Sequence, residues 1–378
     1  MNKWEQIQGI YVHIPFCLQK CLYCDFASFA QKSDKTMAKY TDKICGEINQ
    51  HISDMYINPQ ATIYFGGGTP SVLPIKYIEK IVAALKNKGL WQKPTEVTIE
   101  ANPGTISAES LQAYRHMGFN RISFGIQSMQ DSELKAMGRI HTAREALAAI
   151  EMARSAEFTH ISVDLIYGYP GQTIKSVTNS LETIVKQGIK HLSVYGLVVE
   201  EDTPLQKKVE TGELLLPGED DSGDMYDFIE KYLIQQQYRR YEISNYALEG
   251  EESKHNLLYW QYLPYLGFGV SACSFNGKER KTNPYTIEGY LNEAEPLIEK
   301  LSPADTLAEY IFMGLRTSQG INLEIACKRF NVDIKKRYEQ EIKECQSKGL
   351  LQVDAGETSF SLTEFGMKFG NQVFEKFL

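Results

Sequence analysis

Nothing in this sequence approaches the roughly 18 consecutive apolar residues that a membrane-spanning helix requires. The opening residues Met1–Gly9 are mostly polar, and Pro15 interrupts the short apolar run that follows. No charged stretch, apolar stretch and cleavage site of a secretory leader can be read there, so a cytoplasmic protein is expected. Membrane contact would then be peripheral and made through a partner. Basic residues are not in excess: 40 Lys and Arg stand against 48 Asp and Glu, a formal charge of −8. That argues against a nucleic-acid partner held on a broad basic face. A disulfide framework is also missing. Of seven cysteines, three crowd into residues 17–24 and the others lie scattered at 45, 273, 327 and 345. In a reducing compartment such a cluster points to metal binding or catalysis.

There is ample material for a core, since 43% of the 378 residues are hydrophobic. Short β-branched runs alternate with longer amphipathic ones. The candidate strands are 10–14, 62–65, 96–100, 121–125, 161–167 and 192–197. The candidate helices are 37–52, 75–86, 107–117, 143–155, 174–187 and 225–236. Alternation of this kind predicts βαβ units, right-handed crossovers and a parallel sheet, and six units suggest a partial (β/α)6 barrel of the TIM type. From about Ser302 the pattern changes to three helices (304–316, 323–330, 334–348) and two short strands (349–353, 359–362), which resembles a winged helix. The expected organisation is therefore an α/β barrel domain over 1–285 and a small C-terminal α+β domain over 286–378. Residues 301–378 hold 10 Lys or Arg and 11 Asp or Glu, so packing or lid duty is favoured over DNA binding.

Cys17-Leu-Gln-Lys-Cys21-Leu-Tyr-Cys24 follows directly on the first predicted strand, at the barrel end where active sites are built. Three local thiolates could hold a [4Fe–4S] cubane with one iron left open, or a zinc ion completed by His13 or another residue. Gly66-Gly67-Gly68-Thr69-Pro70 follows the second strand, and its missing Cβ atoms permit a close backbone approach to a ligand. Glu100, Gln127, Arg139 and Asp164 lie at or just past the ends of later strands, and so collect polar groups on the same barrel face. Further on, His255-Asn-Leu-Leu-Tyr259-Trp260 sets a histidine beside two aromatics. It is either a satisfied buried histidine or an axial ligand for haem iron with flat apolar neighbours.

The spacing CxxxCxxC, with Tyr23 before the last cysteine, resembles the signature of the radical S-adenosylmethionine (SAM) superfamily. The fuller run from Tyr11-Val-His-Ile-Pro-Phe to Cys24-Asp25-Phe26 is similar to the oxygen-independent coproporphyrinogen oxidase group, especially its HemW-type haem-chaperone branch. This resemblance implies a [4Fe–4S] cluster on Cys17, Cys21 and Cys24, with His13 structural. It implies SAM contacts at Tyr11, Tyr23, Gly67, Gly68, Thr69, Glu100, Gln127, Arg139, Asp164 and Val198. A reduced cluster of this kind donates an electron to SAM, giving methionine and a 5′-deoxyadenosyl radical. His255, Tyr259 and Trp260 match the branch's haem-associated motif, with His255 as the iron ligand. Haem would be passed to membrane or respiratory proteins, with an electron donor as a further partner. The enzyme alternative is oxygen-independent decarboxylation of coproporphyrinogen III. Those enzymes carry a fourth cysteine where Phe26 stands here and an N-terminal extension before the position of Tyr11, so decarboxylation is not expected.

Overall fold

The computed structural model describes residues 1–30 and 32–377. Seven parallel strands form the centre of one large sheet. They are β1 (Gln6–Ile14), β2 (Tyr56–Gly67), β3 (Val97–Ala101), β4 (Arg121–Gln127), β5 (His160–Tyr167), β6 (His191–Gly196) and β7 (Tyr265–Phe268). Their order is β7-β1-β2-β3-β4-β5-β6. Antiparallel strands extend both edges: Asn245–Ala247 and Arg239–Arg240 beyond β6, and Cys273–Phe275, Glu279–Thr282 and Leu297–Lys300 beyond β7. The six expected parallel strands are all present. The seventh and the antiparallel edges were not foreseen.

The longer helices between the strands are α1 (Asp34–Gln50), α2 (Ile75–Asn87), α3 (Ala108–Met117), α4 (Ala143–Ser155), α5 (Ile174–Lys186) and α6 (Glu219–Gln235). Ser33, Ser107, Thr142 and Thr173 each accept an amide hydrogen bond from the first turn of the helix that follows, satisfying a donor that the helix itself cannot pair.

The strands alternate with period two, and the apolar face lies under the helices. Ile10, Val12 and Ile14 of β1, Ile63 and Phe65 of β2, and Ile122 and Phe124 of β4 are completely buried there. Burying one such side chain contributes roughly 1.5–3 kcal/mol. The opposite face, enclosed by the curved sheet, carries Tyr11 and His13, Thr62 and Tyr64, Thr98 and Glu100, Ser123, and Ser162 and Asp164 in register across β1–β5. A polar interior cannot be filled by packing alone, and this one is furnished to bind something.

One further helix, α7 (Lys254–Trp260), plugs the amino end of the strands. The small C-terminal unit combines α8 (Pro303–Leu315) and α9 (Leu323–Phe330) with a three-stranded antiparallel sheet of Ile321–Asn322, Ser359–Leu362 and Leu351–Val353, and two short helices, Glu364–Lys368 and Gly370–Phe374, follow it. The single helix expected over 334–348 is two, because Tyr338 leaves helical geometry at φ −113° and ψ 32°. The boundary expected from the sequence lies at 285/286. Ile287 and Tyr290 belong to the barrel core, and Leu297–Lys300 closes the edge of the large sheet. The second core, built on Leu307, Ile311 and Leu315 against Phe360 and Phe374, takes in Tyr262 and Phe275 from that edge. No helix among the described residues is long and apolar enough to cross a membrane.

Candidate functional site

The cysteine loop leaves β1 at Pro15 and is closed by a two-residue parallel ladder between Phe16–Cys17 and Phe29–Ala30. Gly68 N–H donates to the Ile14 carbonyl and Thr69 N–H to that of Phe16, at 2.9 and 2.8 Å. The loop thereby lies directly on the glycine segment that ends β2. A Cβ on Gly68 would stand 3.0 Å from Cys17 Sγ and 2.9 Å from the Pro15 carbonyl carbon, so glycine is required there. Gly67 sits at φ +113°, and a Cβ on it would meet the His13 ring at 2.6 Å. His13 in turn bonds the Ala27 carbonyl (2.9 Å) and the Tyr11 hydroxyl (3.0 Å). It tethers the far end of the loop to β1 and is not aimed at the thiols.

Cys17, Cys21 and Cys24 line one cavity of about 420 Å³ at the carboxyl end of the strands. Each thiol touches a polar neighbour: Cys17 touches Thr69 Oγ1 at 3.5 Å, Cys24 touches Ser28 Oγ at 3.8 Å, and Arg139 Nη1 donates to Cys21 Sγ at 3.3 Å. Burial pushes the Cys17 and Cys24 thiols up from their ordinary pKa. Among the described residues no three His, Cys, Asp or Glu side chains converge tightly enough to hold a single metal ion. A cubane binds each thiolate through a different iron, and the three thiols lining this one cavity are the donor type it takes.

The same cavity is lined by Tyr23, Gly67, Gly68, Thr69, Glu100, Gln127, Arg139, Asp164 and Val198. Of the residues expected around SAM, only Tyr11 is set back, in the layer beneath. Glu100 Oε1 accepts from the Tyr64 hydroxyl (2.6 Å) and Oε2 from Gly67 N–H (3.1 Å). Asp164 accepts from Ser123 at 3.3 Å. Burial raises the Glu100 carboxyl to about 7 and Asp164 to about 6, with hydrogen bonds opposing the rise. Two desolvated carboxyls with neutral donors make a pocket that gains by taking in a cation. Gln127 has φ +73° beside a bulge in β4, and such backbone strain in a non-glycine residue gathers at functional sites. Sequence reasoning missed Tyr64 and Ser123, which donate to Glu100 and Asp164, and Ser193, a further hydrogen-bond partner of Asp164. The polar alternation along the strands was the signal that could have found them.

The histidine motif lies elsewhere. Helix α7 is anchored beneath the amino end of the strands by Glu96, whose carboxylate accepts the amides of Lys254 (3.2 Å) and His255 (2.9 Å). Arg121 pairs with Glu96 at 3.0 Å and donates to the carbonyls of Glu251 and Glu252. The His255 ring points up into the barrel and is 1% exposed. Its Nδ1 pairs with Thr62 Oγ1 at 2.8 Å and its Nε2 with the Tyr259 hydroxyl at 3.0 Å. It stacks on Tyr64 with ring centroids 4.9 Å apart. Burial pushes its pKa down to about 3, so the ring is neutral, and both nitrogens are engaged. Trp260 faces the other way, into a separate cleft. The three motif residues therefore do not share one surface.

Residues 11–184 match the Radical SAM superfamily, and residues 301–369 the HemN C-terminal domain. The chain is 36% identical to the haem chaperone HemW of Lactococcus lactis over 378 residues, covering 99% of this chain and 98% of that one. It is 32% identical to HemW of Bacillus subtilis over 382 residues, covering 98% and 99%. The structure superimposes on coproporphyrinogen III oxidase (HemN) of Escherichia coli with a TM-score of 0.85 at 22% identity, over 99% of this chain and 90% of that one. At that identity the likeness speaks for the fold.

Proposed function

The chain belongs to the HemW family of radical SAM proteins, and from that premise we propose that it is a haem chaperone: it binds haem and hands it to haem-requiring membrane or respiratory proteins. The observation that carries this is identity of 36% to a haem chaperone over virtually the whole of both chains.

In this reading Cys17, Cys21 and Cys24 would hold a [4Fe–4S] cluster, and their thiols would release protons as it binds. Such a cluster would supply low-potential electrons for the reduction of SAM. The chain's own residues bind and orient SAM. Gly67 and Gly68 let the backbone come close, while Thr69, Gln127 and Val198 shape the wall. Glu100 and Asp164 ionise against the ligand's positive charge. Arg139 and Tyr23 hold the loop beside Cys21, and Tyr11 supports the floor through His13. The working place is the cytoplasm, reached at the membrane through an acceptor, with an electron donor as second partner.

An anaerobic haem titration of cluster-reconstituted protein, followed at the Soret band, tests the reading; saturable binding is the expected result. His255→Ala is the accompanying variant. Iron ligation by His255 requires α7 to turn, because both ring nitrogens are engaged in this state. Thermal stability without haem must be measured beside it, since removing a buried ring leaves a cavity. The rival reading, oxygen-independent coproporphyrinogen III oxidation, is favoured only by the fold. Useful conversion of coproporphyrinogen III by the reduced, SAM-loaded protein would replace the chaperone assignment.

A further inference from the structure

A second cavity is larger than the cysteine pocket: a cleft of about 820 Å³ at the amino end of the barrel, between α7, the first residues of the chain and the C-terminal unit. That volume falls within the roughly 300–1,000 Å³ of small-molecule and cofactor sites. Trp4, Leu257, Trp260 and Ile321 give it broad apolar walls. In a chain of net charge −8, this cleft gathers Lys3, Arg239, Arg240 and Arg329 against a single acid, Glu252.

Arg240 is neutralised by Glu230 at 2.9 Å. The other cations are not comparably matched. Arg239 stands 3.6 Å from Glu249 with both side chains largely in solvent, and Lys3 reaches the rim exposed. Arg329 lies mostly enclosed among the rings of Tyr262, Tyr310 and Phe330. Its guanidinium donates to the carbonyls of Gln261 and Tyr262, at 3.5 and 2.6 Å, and makes no ion pair among the described residues. Enclosing a guanidinium without a carboxylate is unfavourable, and an anionic occupant relieves it.

We propose that this cleft is a binding site for a planar porphyrin dicarboxylate, which lies with its ring against Trp260 and Trp4 and its carboxylates toward Arg329, Arg239 and Lys3. The proposal rests on the haem-handling reading and locates where that ligand sits. No histidine or cysteine lines the cleft, although Met1, Tyr241 and Tyr310 do; recognition is placed on the ring faces and the carboxylates, and no iron ligand is assigned from the protein. A carrier that must release its load gains from that, because no metal–ligand bond has to break at transfer.

The test uses the full chain with three probes: haemin, iron-free protoporphyrin IX and its dimethyl ester. Binding is followed by tryptophan quenching and by the porphyrin absorbance. Haemin and iron-free porphyrin should bind within about threefold of each other, and the ester about tenfold or more weakly, as loss of charge-assisted contacts predicts. The exposed double variant Lys3→Glu/Arg239→Glu should weaken both free acids by about tenfold at unchanged thermal stability. Trp260→Leu should weaken all three. If haemin binds the wild type but iron-free porphyrin does not, or if binding ignores the charge reversal and falls only in His255→Ala, the cleft is the wrong site and haem handling stands. If haemin does not bind the wild type at all, the haem reading fails and this inference with it.

Discussion

At the amino end of the strands, Glu96 faces the Arg121 guanidinium and two backbone amides of α7. At the carboxyl end, four residues further along the same strand, Glu100 faces a tyrosine hydroxyl and one amide, with Asp164 nearby. Glu96 is buried and Glu100 is half-buried at the cavity wall, and the main difference lies in what surrounds them. Glu96 already has its cation inside the protein, and the pair is spent on fixing α7 under the barrel. Glu100 and Asp164 have none in hydrogen-bond contact, and their raised pKa values record the lack. One end is a finished structural joint, while the other leaves two carboxyls without a hydrogen-bonded cation.

This contrast can be broken from either end. The largest effect expected is all-or-none: Cys21→Ala should abolish the brown absorbance of the reconstituted cluster, since two thiolates rarely retain a cubane, while leaving the unfolding midpoint of the cluster-free protein unchanged. A chromophore that survives would remove Cys21 from the ligand set. Next, Arg121→Met should cost about 3–5 kcal/mol by stranding the buried Glu96 carboxylate, measured by denaturant unfolding of the ligand-free protein. Glu100→Gln should be neutral or slightly stabilising in the same assay, yet should eliminate SAM binding by calorimetry. Equal destabilisation by the two would erase the distinction drawn between the ends.

A pH titration sharpens it further. Glu100 and Asp164 hold protons more tightly in the fold than in the unfolded chain. Their contribution is therefore fully present below their ordinary values of 4.5 and 3.8 and is lost as pH rises through about 7 and about 6. For Glu100 this amounts to roughly 3 kcal/mol. Ligand-free stability should decline across that interval, and Glu100→Gln should flatten the decline; an unaltered slope would mean that another group titrates. SAM binding should strengthen with rising pH over the same range. The smallest effect expected is at the cavity mouth. Phe26, 63% exposed, should tolerate Ala with little change in stability or in the cluster.

Much of this was legible from the residues. The βα alternation gave the parallel strands because each strand and helix shows its own short period. The cysteine loop was legible because three cysteines within eight residues stay together in any fold. Strand β7 was not. Tyr265-Leu-Gly267-Phe reads as a glycine-rich loop, and Gly267 is there because a Cβ would stand 2.1 Å from the Cys273 carbonyl oxygen, a contact made only once the edge strands assemble. The edge strand Glu279–Thr282 carries three charged residues in four, so neither propensity nor apolar periodicity marks it.

The histidine motif shows where sequence stops. His255, Tyr259 and Trp260 are adjacent on one short helix, and their grouping suggested a single haem face. The packed structure turns His255 and Tyr259 into the barrel and leaves Trp260 on a basic cleft. Sequence by itself determined the cysteine cluster, the loop that carries it and the polar strand ends, because these depend on neighbours a few residues apart. The tertiary structure alone decided that Glu100 and Asp164 share a cavity with the cysteines, and which way α7 presents its faces. Those outcomes rest on strand register and on contacts between residues such as Glu96 and His255, more than a hundred positions apart, which no local pattern encodes.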